Sequence, residues 1–219
     1  MGFFWELTKK AVWNAITTEP KKKEDPNVIK NGDWEIYCNP NGEPKIFYKK
    51  DKLWFDADDV WSSPSSNFFV CVGYNSAGDE CIALTTKAEV LKTKKTEECV
   101  GSVIVTDEGK GFVLTEEGTL FILTPEKISQ RKLGDDDTEE IILTPHVAAV
   151  YSDDWNGTAT VKGIDLDTGT AWKKRVNYEE PETYGETPTL FRTTEEGFEI
   201  TLQDGLSRYF TPAGEIIEK

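Results

Sequence analysis

Beyond residue 33, apolar residues recur at every second position in short runs that turn residues interrupt. The first are WEIYC (34–38), KIFY (45–48), KLWF (52–55), FFVCVGY (68–74), CIALTT (81–86) and EVLK (89–92). SVIVT (102–106), GFVLT (111–115), TLFILT (119–124), VAAVY (147–151) and TATVKGI (158–164) follow. The last are TAWKK (170–174), TLFRT (189–193), GFEITL (197–202), SRYFT (207–211) and EIIE (215–218). Alternation with period two places one side of a strand in a core and the other toward solvent. No segment of this region keeps a helical period over ten residues, so it reads as all-β. The connections DEGK, TEEGT, DLDTGT, LQDGLS and TPAGE carry Gly or Asx-Gly, which supplies the positive φ of tight hairpins. The strands are therefore expected to form antiparallel meanders.

The first 33 residues follow a different rule. In FFWELTKKAVWNAIT (3–17), a turn of 100° per residue gathers Phe4, Trp5, Thr8, Ala11, Val12, Ala15 and Ile16 on one face. Glu6, Lys9, Lys10 and Asn14 lie largely opposite, and Trp13 falls on that polar side. An amphipathic helix is predicted over residues 1–18. It either docks on the β-domain or keeps its apolar face for a partner. EPKKKEDPN, with two prolines and runs of charge, marks residues 19–33 as a linker, and residues 34–219 form the β-domain.

The β-runs repeat. Units begin near Trp34, Phe68, Ser102, Val147 and Thr189, at spacings of about 34, 34, 45 and 42 residues. Each suits one four-stranded blade of a small β-propeller, and stacking of units would supply the core that a single unit lacks. About five blades fit the length, with an open or four-bladed form and a pair of packed sheets as the alternatives.

One unit contains GIDLDTGTAWKK (163–174). Its Asp165, Thr168, Gly169 and Trp172 resemble the blade hairpin of PQQ-like (quinoprotein-type) propellers, in which an Asp-x-x-Thr-Gly turn precedes a tryptophan. The resemblance implies a turn capped by Asp165, a left-handed Gly169 and a Trp172 packed between blades. It covers about 12 residues and is architectural; the family's bound quinone, calcium and activity are not carried over.

Charge narrows the partners. Forty acidic residues against 25 basic give a net charge of −15, which opposes binding to nucleic acid or to an anionic membrane and would steer a basic partner inward. Cys38, Cys71, Cys81 and Cys99 form no CxxC pair and suit buried thiols. With no 18-residue apolar run and too short an apolar start for a signal peptide, a cytoplasmic setting is the expectation.

Chemistry is sparse. The single histidine, His146, has no GxSxG elbow to serve and is expected to be structural at the start of a strand. GDDDTEE (134–140), SDDWNG (152–157) and the Asp165/Asp167 pair are rich in oxygen, yet none has calcium-loop spacing, and no zinc set or phosphate loop occurs. No catalytic residue, metal or cofactor is predicted. The candidate binding residues are Trp61 and Trp155, read as aromatics in polar loops, Trp13 on the polar helix face, and Asp153 with Asp154. The resulting expectation is a non-enzymatic interaction module that binds a protein, basic or otherwise, through an acidic loop-rich face. The rivals are a carbohydrate-binding lectin using Trp61 and Trp155, and a carboxylate-based hydrolase.

Overall fold

The computed structural model describes residues 27–135, 137–179, 189–194 and 196–218. The predicted helix, with Trp13, and most of the predicted linker lie outside them. Nineteen strands occupy the described residues in four sheets, and within each sheet every strand pairs antiparallel with its neighbours in sequence. β1 (Val28–Asn31), β2 (Trp34–Cys38), β3 (Pro44–Lys49), β4 (Lys52–Ser62), β5 (Phe69–Asn75), β6 (Glu80–Thr85) and β7 (Val90–Lys95) make one seven-stranded sheet. Three sheets of four strands follow. The first holds β8 (Val100–Val105), β9 (Gly111–Thr115), β10 (Thr119–Leu123) and β11 (Ile128–Lys132). The next holds β12 (Glu140–Leu143), β13 (Val147–Asp153), β14 (Thr158–Asp165) and β15 (Ala171–Asn177). The last holds β16 (Leu190–Thr193), β17 (Phe198–Thr201), β18 (Ser207–Phe210) and β19 (Ile216–Glu218).

The seven-stranded sheet is two units that share a strand. β4 has 11 residues; its first half pairs with β3, and its second half, from Phe55 onward, pairs with β5. A bulge between Ala57 and Asp59 separates the halves, and an extra residue of this kind bends and twists a strand. Gly73 sits opposite Ala57, where a Cβ would stand 2.0 Å from the Asp56 carbonyl oxygen. Only glycine lets β5 close over the bulge. The described residues thus form five four-stranded units, which is the propeller blade pattern. β4 contacts β8 and β8 contacts β12, so the first strands of units two, three and four lie side by side, and the last strands β7 and β11 carry exposed ends.

Apolar clusters fill the four junctions between successive units. Ile36, Phe47, Phe55, Phe69 and Cys71 join units one and two; Val70, Ile82, Leu84, Val113 and Phe121 join two and three. Leu114, Leu120, Ala148 and Ile164 join three and four; Tyr151, Val161, Phe198, Ile200 and Phe210 join four and five. Full burial of one such side chain contributes about 1.5–3 kcal/mol, so the stack rather than the single sheet carries the stability. No cluster of this kind joins unit five to unit one among the described residues.

The Asp-x-x-Thr-Gly hairpin forms as its sequence implies. Asp165 Oδ1 accepts the backbone N–H groups of Asp167 and Thr168, each at 2.9 Å, and Gly169 has φ 73°. Trp172 lies nearly parallel to Phe198 and Phe210, at centroid distances of 6.4 and 6.2 Å, and its indole N–H donates to the Pro212 carbonyl at 2.8 Å. It therefore spans units four and five. His146 ends up beside this hairpin, its Nδ1 2.8 Å from Asp167 Oδ2.

Three strands escape the alternation pattern. β1 lies within the stretch read as linker, β11 (ISQRK) is exposed at one end, and the four residues of β12 sit in acidic sequence. Trp61 needs a correction as well. Expected in a polar loop, it belongs to β4 opposite Val70, is half-buried, and packs against the cluster between units two and three. The bulge is the reason, since it lets β4 run on through DDVWS as a strand.

Candidate binding cleft

The face of unit four that looks toward unit three changes character along its length. Ala148 and Ile164 are sealed in the apolar junction, whereas Ser152, Thr160, Lys162 and Lys173 further along are polar. Cross-strand register brings them together: Ser152 stands opposite Thr160, and Lys162 opposite Lys173. The connection from β11 to β12 then crosses in front of this polar end, carrying Asp135, Asp137 and Glu139. An open cleft of about 640 Å³ remains between them, with Asp153, Asp154 and Trp155 at the β13–β14 turn closing one side. Five carboxylates and two lysines line it.

That turn departs from its siblings in one respect. Asn39, Asn75 and Asp154 each open a hairpin loop with glycine three positions on, and each side-chain Oδ1 accepts two backbone N–H groups two and four residues ahead. In the Asn39 and Asn75 loops the glycine N–H also donates to the carbonyl of the first residue. The Asp154 loop is different: Trp155 takes φ 57°, a left-handed conformation that costs a bulky residue about 1–2 kcal/mol. Its backbone N–H turns to Asp153 Oδ1 at 2.9 Å, and its indole N–H donates to Glu139 Oε1 at 2.8 Å. The residue is 49% exposed. The strained turn and the Glu139 bond hold a large aromatic surface at the mouth of the cleft.

The carboxylates divide into structural and available groups. Asp153 is buried and accepts the hydroxyls of Tyr151 and Tyr178, each at 2.7 Å, besides the Trp155 amide. Burial, reinforced by the Asp153 bond and charge, pushes the Tyr151 phenol far up, so it stays a neutral donor. Asp153 anchors the turn from the side of unit four that faces unit five. Asp154 is exposed and caps the loop. Asp135 is ion-paired with Lys162, whose bond holds its carboxyl below the usual range. Burial raises Glu139 above its ordinary value, with Asp153 adding to the rise against the Trp155 bond.

Of the five candidate binding residues, Asp153, Asp154 and Trp155 converge here. Trp61 is on β4 of unit two, and Trp13 lies outside the described residues. Asp135, Asp137 and Glu139 belong to GDDDTEE, whose acidity was visible but whose proximity to SDDWNG was not. Lys162 and Lys173 carried no motif; only the register of the Asp-x-x-Thr-Gly hairpin pairs them. Among the described residues, no three His, Cys, Asp or Glu side chains are grouped to hold a metal ion.

No protein-family model and no curated protein matches the sequence. Solved structures do resemble the chain. Hsv2 of Kluyveromyces lactis is 15% identical over 86% of this chain and 60% of its own, with a TM-score of 0.48. BamB of Moraxella catarrhalis is 14% identical over 91% and 66%, with 0.43, and AztD of Citrobacter koseri 10% over 87% and 57%, with 0.45. BamB and AztD are β-propeller proteins. The chain spans between 57% and 66% of the length of these three.

Proposed function

We propose that this chain is a non-catalytic protein-interaction module that receives a basic partner at the cleft between units three and four. The observation that carries the reading is Trp155, held exposed at a strained backbone position and tied to Glu139 beside an excess of carboxylates. Aromatic anchors flanked by charge are what binding hot spots are made of. The net charge of −15 favours encounter with a positive surface and predicts salt-sensitive association. The setting we propose remains the cytoplasm.

The test is affinity capture from the source cell with the wild-type chain and its Trp155→Ala variant as baits. A basic protein retained by the first and lost from the second supports the reading. Equal retention of every captured protein by both baits contradicts it. A lectin is the second reading, favoured by the same indole, since a sugar ring stacks on an exposed tryptophan while carboxylates accept its hydroxyls. Binding on a glycan array that disappears with Trp155→Ala would select it instead.

A further inference from the structure

Asn31, Asn41 and Asn156 each precede a glycine. In such a pair the glycine nitrogen can attack the asparagine side-chain carbonyl, because the glycine has no Cβ to crowd the approach. The fold holds the three in different ways. Asn41 sits in the Asn39 loop, where the Gly42 N–H donates to the Asn39 carbonyl at 2.9 Å. Asn31 is the last residue of β1, opposite Trp34 in the ladder. Its exposed glycine, Gly32, keeps an N–H without a protein acceptor among the described residues, but ring closure would rotate the Asn31 backbone out of the ladder. Asn156 belongs to the Asp154 loop, and there the sibling glycine bond is missing. The Gly157 N–H has no acceptor among the described residues, although Gly157 is buried, and a buried backbone donor in that state is rare. The Asn156 side chain has taken over the bond, its Nδ2 donating to the Asp154 carbonyl at 3.0 Å. Asn156 is itself exposed, so water and base reach its side chain.

We propose that Asn156 is a self-modification site, converting to aspartate or isoaspartate, and that the conversion releases the turn that holds Trp155. The Gly157 nitrogen gives its proton to a solvent base and bonds to Asn156 Cγ. The Cγ–Nδ2 bond breaks, the nitrogen takes up a proton and leaves as ammonia, and a cyclic imide remains. Water opens either carbonyl of that ring, so one water is consumed and one ammonia released, with no oxidant or reductant. The Gly42 N–H must first leave its carbonyl to do the same, which lowers the reactive population at Asn41. The product then undoes the loop. A carboxylate at position 156 cannot donate to the Asp154 carbonyl, and it stands in the loop that the Asp154 carboxylate already caps. Those caps sustain the turn in which Trp155 takes its left-handed conformation. Isoaspartate goes further, since it lengthens the backbone of the turn. The effect on binding rests on the reading of Trp155 given above; the reaction itself needs no partner and is measured without one.

Incubation of the purified full-length chain at mildly alkaline pH, followed by peptide mass spectrometry, tests the site. In the folded protein Asn156 is expected to convert about fivefold or more faster than Asn41, whose glycine bond must open first. In concentrated urea the two should react at similar rates, which assigns the difference to the fold. Equal rates in the folded protein, a faster Asn41 or Asn31, or a gap of the same size in urea would overturn the site. Asn156→Gln keeps an amide but closes the ring far more slowly, and it must remove the conversion at position 156 while leaving that at Asn41 unchanged. Asn156→Asp supplies the product without the reaction. Its amide hydrogen exchange across residues 153–158 is expected to rise about fivefold or more above wild type, while the β13–β14 ladder stays protected. Unchanged exchange in that turn would contradict its release.

Discussion

Trp155 and Glu139 face each other across the mouth of the cleft, the indole N–H donating to the carboxylate at 2.8 Å. Glu139 comes from the connection between units three and four, and Trp155 from a hairpin turn of unit four. One hydrogen bond thus fixes the position of a strained aromatic relative to the acidic wall.

Replacing Trp155 separates binding from stability. Asparagine accepts the left-handed conformation far more readily than tryptophan, so Trp155→Asn relieves strain while losing the Glu139 bond. Stability is expected to stay within about 1 kcal/mol of wild type, because the two effects oppose each other. Affinity for the captured partner should fall at least about tenfold, as loss of a hot-spot aromatic does. Denaturant melts beside a binding titration check both.

Asp153 should behave in the opposite sense. Asp153→Ala removes the carboxylate to which two tyrosine hydroxyls and the Trp155 amide donate, and Tyr151 is buried. Hydrogen bonds to a charged acceptor contribute about 1.5–3 kcal/mol each, so this variant is expected to lose about 2–4 kcal/mol in denaturant unfolding. Asp154→Ala, which removes only an exposed loop cap, should lose about 1 kcal/mol.

Trp172 is confined on two sides by backbone. A Cβ on Gly163 would stand 2.3 Å from its Cζ2, and one on Gly214, which also has φ 77°, 2.4 Å from its Cδ2. Gly163→Ala must push the ring off Phe198 and Phe210, and overpacking of this kind costs about 1–3 kcal/mol. Trp172→Ala opens the junction between units four and five and is expected to cost about 3 kcal/mol or more. Thermal unfolding of the two variants is the check.

Acid should destabilise the fifth unit through Asp204. Burial alone would raise its carboxyl, but the two-pronged pair with Arg208, at 2.6 and 2.8 Å, and the Leu206 amide outweigh that and hold it low. Because the folded value is depressed, the pair's contribution is present above the ordinary carboxylate range and is lost as pH falls through the lowered value. Below the ordinary carboxylate range, stability should therefore fall less steeply with acid in Asp204→Asn than in wild type. Glu139 carries the opposite sign. Raised by burial, it takes up a proton before the ordinary carboxylates do, so partner binding should weaken earlier in an acid titration than the fold does.

The sequence showed most of the fold, because blades are built from hairpins whose turn residues are local. Asp165, Gly169 and Trp172 could be placed from one dozen residues. β11 was not visible because most of it is exposed, and β12 because its short apolar run packs on both faces, Ile142 on one and Ile141 with Leu143 on the other, so nothing alternates. The sharing of β4 between two units depends on a bulge and on Gly73, neither of which has a periodic signal. At the site, three of five candidates converged because SDDWNG is a single loop. The acids facing them lie on another connection, and the left-handed turn of Trp155 has no counterpart in the similar Asn39 and Asn75 loops. Proximity across units is a tertiary property, and it separates GDDDTEE as a solvated loop from GDDDTEE as the wall of a cleft.

The central claim is that a basic partner binds the acidic cleft through Trp155. Its most direct test is the affinity of the purified captured partner for wild type and Trp155→Ala, at about 50 mM and about 500 mM salt, where the Debye length falls from roughly 14 to 4 Å. The account predicts tight binding by wild type at low salt, loss of at least about tenfold at high salt, and a comparable loss in the variant. Equal affinity across both salts and both chains would contradict it.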